Sequence, residues 1–355
     1  MTVNKERQSN FELLRIVAML LILSVHANYM AFDPPTFDNA AVSWLRVTLE
    51  NMCIIGTSLF SLKSGWFGIK PKLNKFLKLA IQISTYVLII NIVMIALGKK
   101  AFSLGFFTDI VVAGRSYWFM ISYLLLYVLS PIINTFIEHS SRSRFKWTLV
   151  AFYIFQFVYG WWHNAEFHHG HSALSLMGLY MLARYFRLYG CPLFKLRIWQ
   201  LLALFVALAS AAALQESLFY MLGGEDLGTR TLYFYLRTNS PVFVMESVLI
   251  FAVFAKIQFT SRTVNYIASS SLAVYLIHVN PDVFDYYTAM FPAIYNAMPN
   301  ALGLLAMAGV IVLVFAGCIA IDKLRLLIVP TEKLASALDN LVARVTRYRQ
   351  PDDTP

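Results

Sequence analysis

Apolar residues in this chain come in long blocks separated by short polar connectors. Ten blocks can be drawn, at 11–32, 45–67, 77–97, 116–137, 147–162, 172–189, 198–217, 239–257, 264–281 and 300–321. A helix needs roughly 20 mostly apolar residues to cross a bilayer, and all but the short fifth block approach that length. No repeat, low-complexity tract or long linker interrupts the series. Nothing between blocks is long enough for a separate soluble domain. The pattern predicts an all-α integral membrane domain over residues 1–330, with about ten transmembrane helices. Residues 331–355 form a cytoplasmic tail of another kind. Its stretch 331–349 reads as a basic amphipathic helix, which suits the inner leaflet better than RNA.

Composition sharpens this picture. Of 355 residues, 59% are hydrophobic and only 14% charged, with a mean hydropathy of +0.62. Soluble domains carry about 25% charged residues, so a soluble two-domain enzyme is excluded, as is a disordered chain. The net charge of +10 would suggest nucleic acid in a soluble protein. Here its distribution accounts for it. Counted through alternate loops, 22 of the 29 basic residues fall on one side and 6 on the other, Lys63 lying inside a span. That asymmetry puts both termini in the cytoplasm and leaves no call for a nucleic-acid partner. Cys53, Cys191 and Cys318 are far apart in apolar surroundings and read as small hydrophobes. Val25-His26-Ala27 resembles a signal cleavage site, but the first span is expected to stay as its own anchor.

Ionisable groups inside a span cost roughly 2.5–3.5 kcal/mol each, which makes them functional candidates. The first span carries Glu12, Arg15 and His26. Arg15 and His26 are eleven residues apart, about 1100° of rotation or some 20° past three turns, so they share a helix face about 16 Å apart along the axis. Met19 and Ile22 lie between them on that stripe. Glu12 is placed to hold the Arg15 guanidinium as an i,i+3 pair. The geometry suits a ligand with an anionic head and a long thin arm: a guanidinium grips phosphates, and a deeper imidazole serves as general base near neutral pH. The bland alternative is a snorkelling arginine and a histidine that makes an ordinary polar contact between helices.

Five stretches together resemble the membrane-bound acyltransferase 3 family. They are Asn10-Phe11-Glu12-Leu13-Leu14-Arg15 with His26 beyond it, and the run Ser58 to Phe67 ending in Ser64-Gly65-Trp66-Phe67. Next come Tyr117-Trp118-Phe119 followed by Leu129-Ser130-Pro131-Ile132-Ile133-Asn134, then Leu179 to Arg187, and finally Tyr275-Leu276-Ile277-His278. The resemblance covers residues 10 to about 320 and is greatest to stand-alone members of the polysaccharide and capsule O-acetyltransferase type. It implies transfer of an acyl group, usually acetyl, from cytoplasmic acyl-CoA to a hydroxyl of a surface or lipid-linked glycan. It also implies a bacterial cytoplasmic (inner) membrane location and Arg15 and His26 as the essential pair. Acetyl-CoA would be a co-substrate, with no tightly bound cofactor. Some members pass the acyl group to a fused extracytoplasmic hydrolase-like domain. Without one, this chain is expected to use its own membrane site or a separate partner protein of an envelope glycan pathway.

On the donor side, Glu12, Arg15, Lys63, Ser64, Gly65, Lys72 and Lys75 are the candidates, within a basic loop that also holds Lys70 and Lys78. Gly65 would allow close approach of a ligand, or of another helix. Lys63 departs from the family's usual aliphatic residue; it either adds a phosphate contact or, the favoured reading, snorkels. On the acceptor side, Tyr117 and Trp118 offer rings to sugar faces unless they belong to the interfacial aromatic belt. Arg115, Glu246 and His278 complete that set. The run His163 to His171 invites zinc, but it lies in a loop without a helical frame, so no metal is expected. The rival to an acyltransferase is an exporter or flippase of a polysaccharide or lipid-linked sugar, which would often show repeats with broken helices in matched halves.

Overall fold

The computed structural model describes residues 8–33, 40–103, 117–163, 165–235, 237–298 and 300–348, and every regular element among them is helical. In chain order the helices are α1 (Ser9–Asn28), α2 (Ala40–Cys53), α3 (Gly56–Phe67), α4 (Leu73–Ala96), α5 (Trp118–Glu138), α6 (Arg142–Phe155) and α7 (Ala173–Tyr189). There follow α8 (Ile198–Tyr235), α9 (Pro241–Lys256), α10 (Arg262–Ala268), α11 (Ser271–His278), α12 (Pro281–Ala297), α13 (Asn300–Ile328) and α14 (Thr331–Tyr348). Arg115 lies outside the described residues.

Among the described residues, five helices are long and apolar enough to cross a membrane: Ser9–Asn28, Leu73–Ala96, Trp118–Glu138, Ile198–Gly224 and Leu302–Ile328. Large apolar side chains face outward along them, with Leu305 and Leu313 both 70% exposed. Lipid is the solvent that covers such a surface without cost. The other apolar blocks are short or broken as helices. Block 45–67 is cut at Ile54–Ile55 into α2 and α3, and block 264–281 is cut at Ser269–Ser270 into α10 and α11. Block 147–162 is α6 continued by a π-helical turn, Gln156–Trp162.

Two segments outside the apolar blocks are helical. In 218–238, which lies between two blocks, α8 runs on to Tyr235, interrupted at Gly224, whose φ of 68° breaks the helical path. The stretch after His278 forms α12, which the apolar blocks do not indicate. There Asn280 caps the helix by accepting from the Asp282 N–H, and Pro281 occupies its first turn, where a missing N–H costs nothing.

α1 runs through the middle of the bundle, packed against α2, α3, α9, α10, α11, α12 and α13. α3 is wedged between α1 and α7, and two glycines make that possible. A Cβ on Gly56 would sit 2.7 Å from the Ala18 carbonyl oxygen and 2.6 Å from Ile22 Cγ1. A Cβ on Gly65 would overlap the Tyr180 carbonyl. Within α5, Pro131 cannot donate to the Tyr127 carbonyl. The Ser130 hydroxyl donates to that oxygen instead, at 2.7 Å, so the helix continues. The tail helix α14 packs along α4, tied by Lys78–Glu332 at 2.9 Å and by Asn74 donating to Ser336 at 3.1 Å.

Candidate active site

The shared face of α1 opens onto two cavities stacked along the helix. The inner one, about 400 Å³, is lined by Arg15, Met19 and Ile22 of α1, with Lys63, Ser64, Lys70 and Lys75 at its polar end. Tyr123, Tyr127 and Tyr275 are among its aromatic walls. The outer one, about 470 Å³, takes in Ile22 and His26 of α1 with Trp118, His169, His171, Arg237 and Tyr275. Ile22 and Tyr275 stand in both walls, so the cavities meet there. The stripe read from helical periodicity is thus the spine of both.

At the inner cavity, Arg15 Nη1 donates to Glu12 Oε2 at 2.8 Å, the i,i+3 pair that the spacing implies. Lys63 does not snorkel. Its Nζ donates to the other oxygen, Glu12 Oε1, also at 2.8 Å, with the side chain 18% exposed. The position of α3 against α1 explains this: Lys63 emerges beside Glu12, within reach of a charge-assisted hydrogen bond. One carboxylate is shared by two cations, and among the described residues no acidic side chain lines the cavity. The result is a surplus of positive charge at the mouth of an apolar slot, the electrostatic complement of a phosphorylated head on a thin arm.

Other donor-side candidates divide. Ser64 is at the wall, its hydroxyl donating to the Phe60 carbonyl at 2.9 Å and lying 3.1 Å from the Tyr123 hydroxyl. Lys75 is at the wall, but Gly65 is not: its missing side chain admits the α7 backbone, so it serves helix packing rather than ligand approach. Lys72 is absent from the wall too. Its backbone is fixed by the Tyr127 hydroxyl, which accepts from Lys72 N at 2.7 Å and donates to Lys72 O at 3.0 Å. Lys78 is engaged with the tail.

The acceptor-side candidates divide as sharply. His26 and His278, 252 residues apart, come together with His26 Nδ1 3.1 Å from His278 Nε2. Trp118 lines the outer cavity, with His171 packed edge-on against its indole at 4.4 Å between centroids. Tyr117 is no sugar platform. It is buried, donates to the Leu276 carbonyl at 2.9 Å and accepts from Asn280 Nδ2 at 2.8 Å. Glu246 lines neither cavity. It lies fully buried on α9, where neither carboxylate oxygen meets a hydrogen-bond partner among the described residues.

Two loops close the outer cavity: one belongs to the histidine run that invited a zinc reading, and the other, at Arg237 and Thr238, was not legible as part of a site. Thr238 N donates to the His169 carbonyl at 3.0 Å, Gln156 Nε2 donates to the Asn239 carbonyl at 3.1 Å, and Arg237 donates to the Trp161 carbonyl. Gly170, with φ of 94°, lies against Thr238 where a Cβ would collide. Burial pushes the His171 imidazole down to about 4, so it is neutral at pH 7. The histidine run was the sequence signal for the first loop; the second, Arg237-Thr238-Asn239-Ser240, holds neither histidine nor tryptophan. Among the described residues, no group of three or more His, Cys, Asp or Glu is placed to hold a metal ion.

A family model described as an acyltransferase domain matches residues 8–323. The chain belongs to the acyltransferase 3 family; it is an acyltransferase and a multi-pass membrane protein. No curated protein matches it, and no solved structure does.

Proposed function

We propose that this enzyme moves an acyl group, acetyl by default, from cytoplasmic acyl-CoA to a hydroxyl of a surface or lipid-linked glycan. The reading rests on one observation above all: two cavities meet end to end along α1, with the cations at one end and His26 beyond the junction. Both termini and the basic loop face the cytoplasm, about ten spans cross the bacterial inner membrane, and donor and acceptor enter from opposite sides. The phosphates of acyl-CoA meet Arg15, Lys63, Lys70 and Lys75. The pantetheine arm runs past Met19 and Ile22 and brings the thioester to His26.

His26 then acts in one of two ways. As general base it takes the sugar hydroxyl proton while the oxygen attacks the thioester carbon; the C–O bond forms, the C–S bond breaks, and the proton ends on the thiolate. As nucleophile its ring nitrogen attacks the thioester carbon and the C–S bond breaks to release the thiolate; the sugar oxygen then takes the acyl group as the N–C bond breaks, and its proton ends on the thiolate. The sugar ring packs on Trp118 in the outer cavity.

The test uses purified protein in nanodiscs with radiolabelled acetyl-CoA, following thiol release and label transfer for wild type, Arg15→Ala and His26→Ala. Wild-type turnover that collapses in both variants supports the reading. Full activity in His26→Ala overturns the catalytic assignment. If no acyl-CoA binds or turns over, and a lipid-linked sugar crosses the bilayer in the presence of the protein, the exporter takes its place.

A further inference from the structure

Given that His26 is the reacting group, we infer that His278 is a positioning residue, one that fixes which nitrogen of His26 reacts. His278 Nδ1 lies 2.6 Å from the Val274 carbonyl oxygen. A carbonyl only accepts, so His278 Nδ1 carries the proton. In the neutral ring, His278 Nε2 is then bare and can only accept. His26 Nδ1 sits 3.1 Å from that atom and must be the donor. The proton of neutral His26 is thereby assigned to Nδ1 and its lone pair to Nε2.

This is the tautomer that both routes need. A base removes the sugar proton with a lone pair, and a nucleophile attacks the thioester with one. Either way the ring becomes cationic with both nitrogens substituted, and the His278 Nε2 lone pair stabilises the Nδ1–H that remains. His278 does not itself take up a proton. Left alone, an imidazole interconverts between tautomers, and a ring with its lone pair on Nδ1 would present an N–H where the chemistry needs a base.

The surroundings hold this relay in place. His278 is 1% exposed at the end of α11. Tyr117 grips that helix end by donating to the Leu276 carbonyl, and Asn280 holds the Tyr117 hydroxyl in turn. The Tyr287 ring packs on His278 at 5.6 Å, while its hydroxyl donates to the Leu23 carbonyl of α1 at 2.9 Å. Phe284 meets His26 edge-on at 5.2 Å. α12, the helix that the apolar blocks do not indicate, therefore ties the two histidine-bearing helices together at the level of the pair.

Two variants separate hydrogen bonding from shape. His278→Leu removes the acceptor; His278→Gln offers a side-chain carbonyl near the position of Nε2. Leu is expected to lower kcat about 10²–10⁴-fold with KM for acetyl-CoA little changed. Gln is expected to regain at least about tenfold of that loss. Equal losses in Leu and Gln would assign His278 to packing and overturn the inference. So would a Leu variant with wild-type kcat while His26→Ala is inactive. Activity surviving in His26→Ala sinks the reading of His26 itself, a separate failure. Imidazole ¹⁵N shifts of the wild-type protein give a second reading that needs no variant. His26 must show a protonated Nδ1 and a bare Nε2, and the reverse tautomer overturns the proposal.

Discussion

Arg15 on α1 and Arg325 on α13 each follow a carboxylate by three residues, Glu12 and Asp322, and each pair closes at 2.8 Å. Each carboxylate also receives a donor from another helix. For Glu12 that donor is a second cation, Lys63; for Asp322 it is the neutral hydroxyl of Tyr86, at 2.6 Å. The consequence is electrical. The α1 cluster keeps a surplus positive charge and opens on the inner cavity. The α13 cluster is neutral and closed: Arg325 also donates to Thr331 at 2.8 Å, and the Asp322 and Arg325 side chains are 2% and 4% exposed. Thr331 begins the tail helix, so the closed cluster fastens α14 to the bundle. A buried carboxylate–arginine pair in a membrane helix is thus not a functional signature by itself. The third partner and the exposure distinguish a site from a clasp.

The strongest way to break this comparison is to remove each arginine. Arg325→Ala leaves Asp322 buried beside Tyr86 alone and is expected to cost about 3–5 kcal/mol, read as a fall in thermal stability in detergent. Arg15→Ala leaves Glu12 paired with Lys63, so stability should change little. Acyl transfer should fall at least about 100-fold. If Arg15→Ala unfolds the protein, or Arg325→Ala abolishes turnover in a fully stable protein, the two clusters have been assigned the wrong way round.

The surplus charge itself is tested by Lys63→Met, which keeps the length of the side chain and loses the ammonium. Arg15 and Glu12 then form a balanced pair like Arg325 and Asp322. KM for acetyl-CoA is expected to rise roughly 10–30-fold, about 1.4–2 kcal/mol, with kcat held. The dependence of KM on salt should weaken, because one cation at the inner cavity is gone. An unchanged KM would show that Lys63 only neutralises Glu12.

These partners explain what the sequence could reveal. Arg15, Met19, Ile22 and His26 lie on one helix, so periodicity alone places them on one face. Glu12 and Arg15 are neighbours by the same arithmetic. Lys63 meets Glu12 only because α3 crosses α1 at Gly56, and His278 meets His26 across 252 residues. Such contacts belong to helix packing, which no local pattern encodes. The tail helix was legible from its amphipathic charge pattern. α12 was not indicated, since a search for apolar spans passes over a helix carrying Asp282, Asp285 and Pro292. Asn280-Pro281 was nonetheless a start signal. The cuts at Ile54–Ile55 and Ser269–Ser270 were hidden because apolar residues continue on both sides. Glu246 misled because a carboxylate at membrane depth suggests a site, whereas the fold seals it away from both cavities.

The finest test lies on the closed cluster. Tyr86→Phe removes the 2.6 Å hydrogen bond to Asp322 Oδ1 and nothing else of consequence. The carboxylate keeps its bonds from Arg325 Nε at 2.9 Å and Nη2 at 2.8 Å. The ring that remains still lies under the guanidinium, 5.4 Å from centroid to Cζ. The loss should therefore be near the low end for a hydrogen bond to a charged group, about 1.5 kcal/mol, seen as a small fall in melting temperature. Turnover and KM for acetyl-CoA should stay at wild-type values, since the Asp322 cluster contributes no residue to the wall of either cavity. A Tyr86→Phe protein of normal stability but reduced turnover would mean that the docking of the tail helix reaches the reaction. The line between clasp and site would then have to be redrawn around α4 and α14.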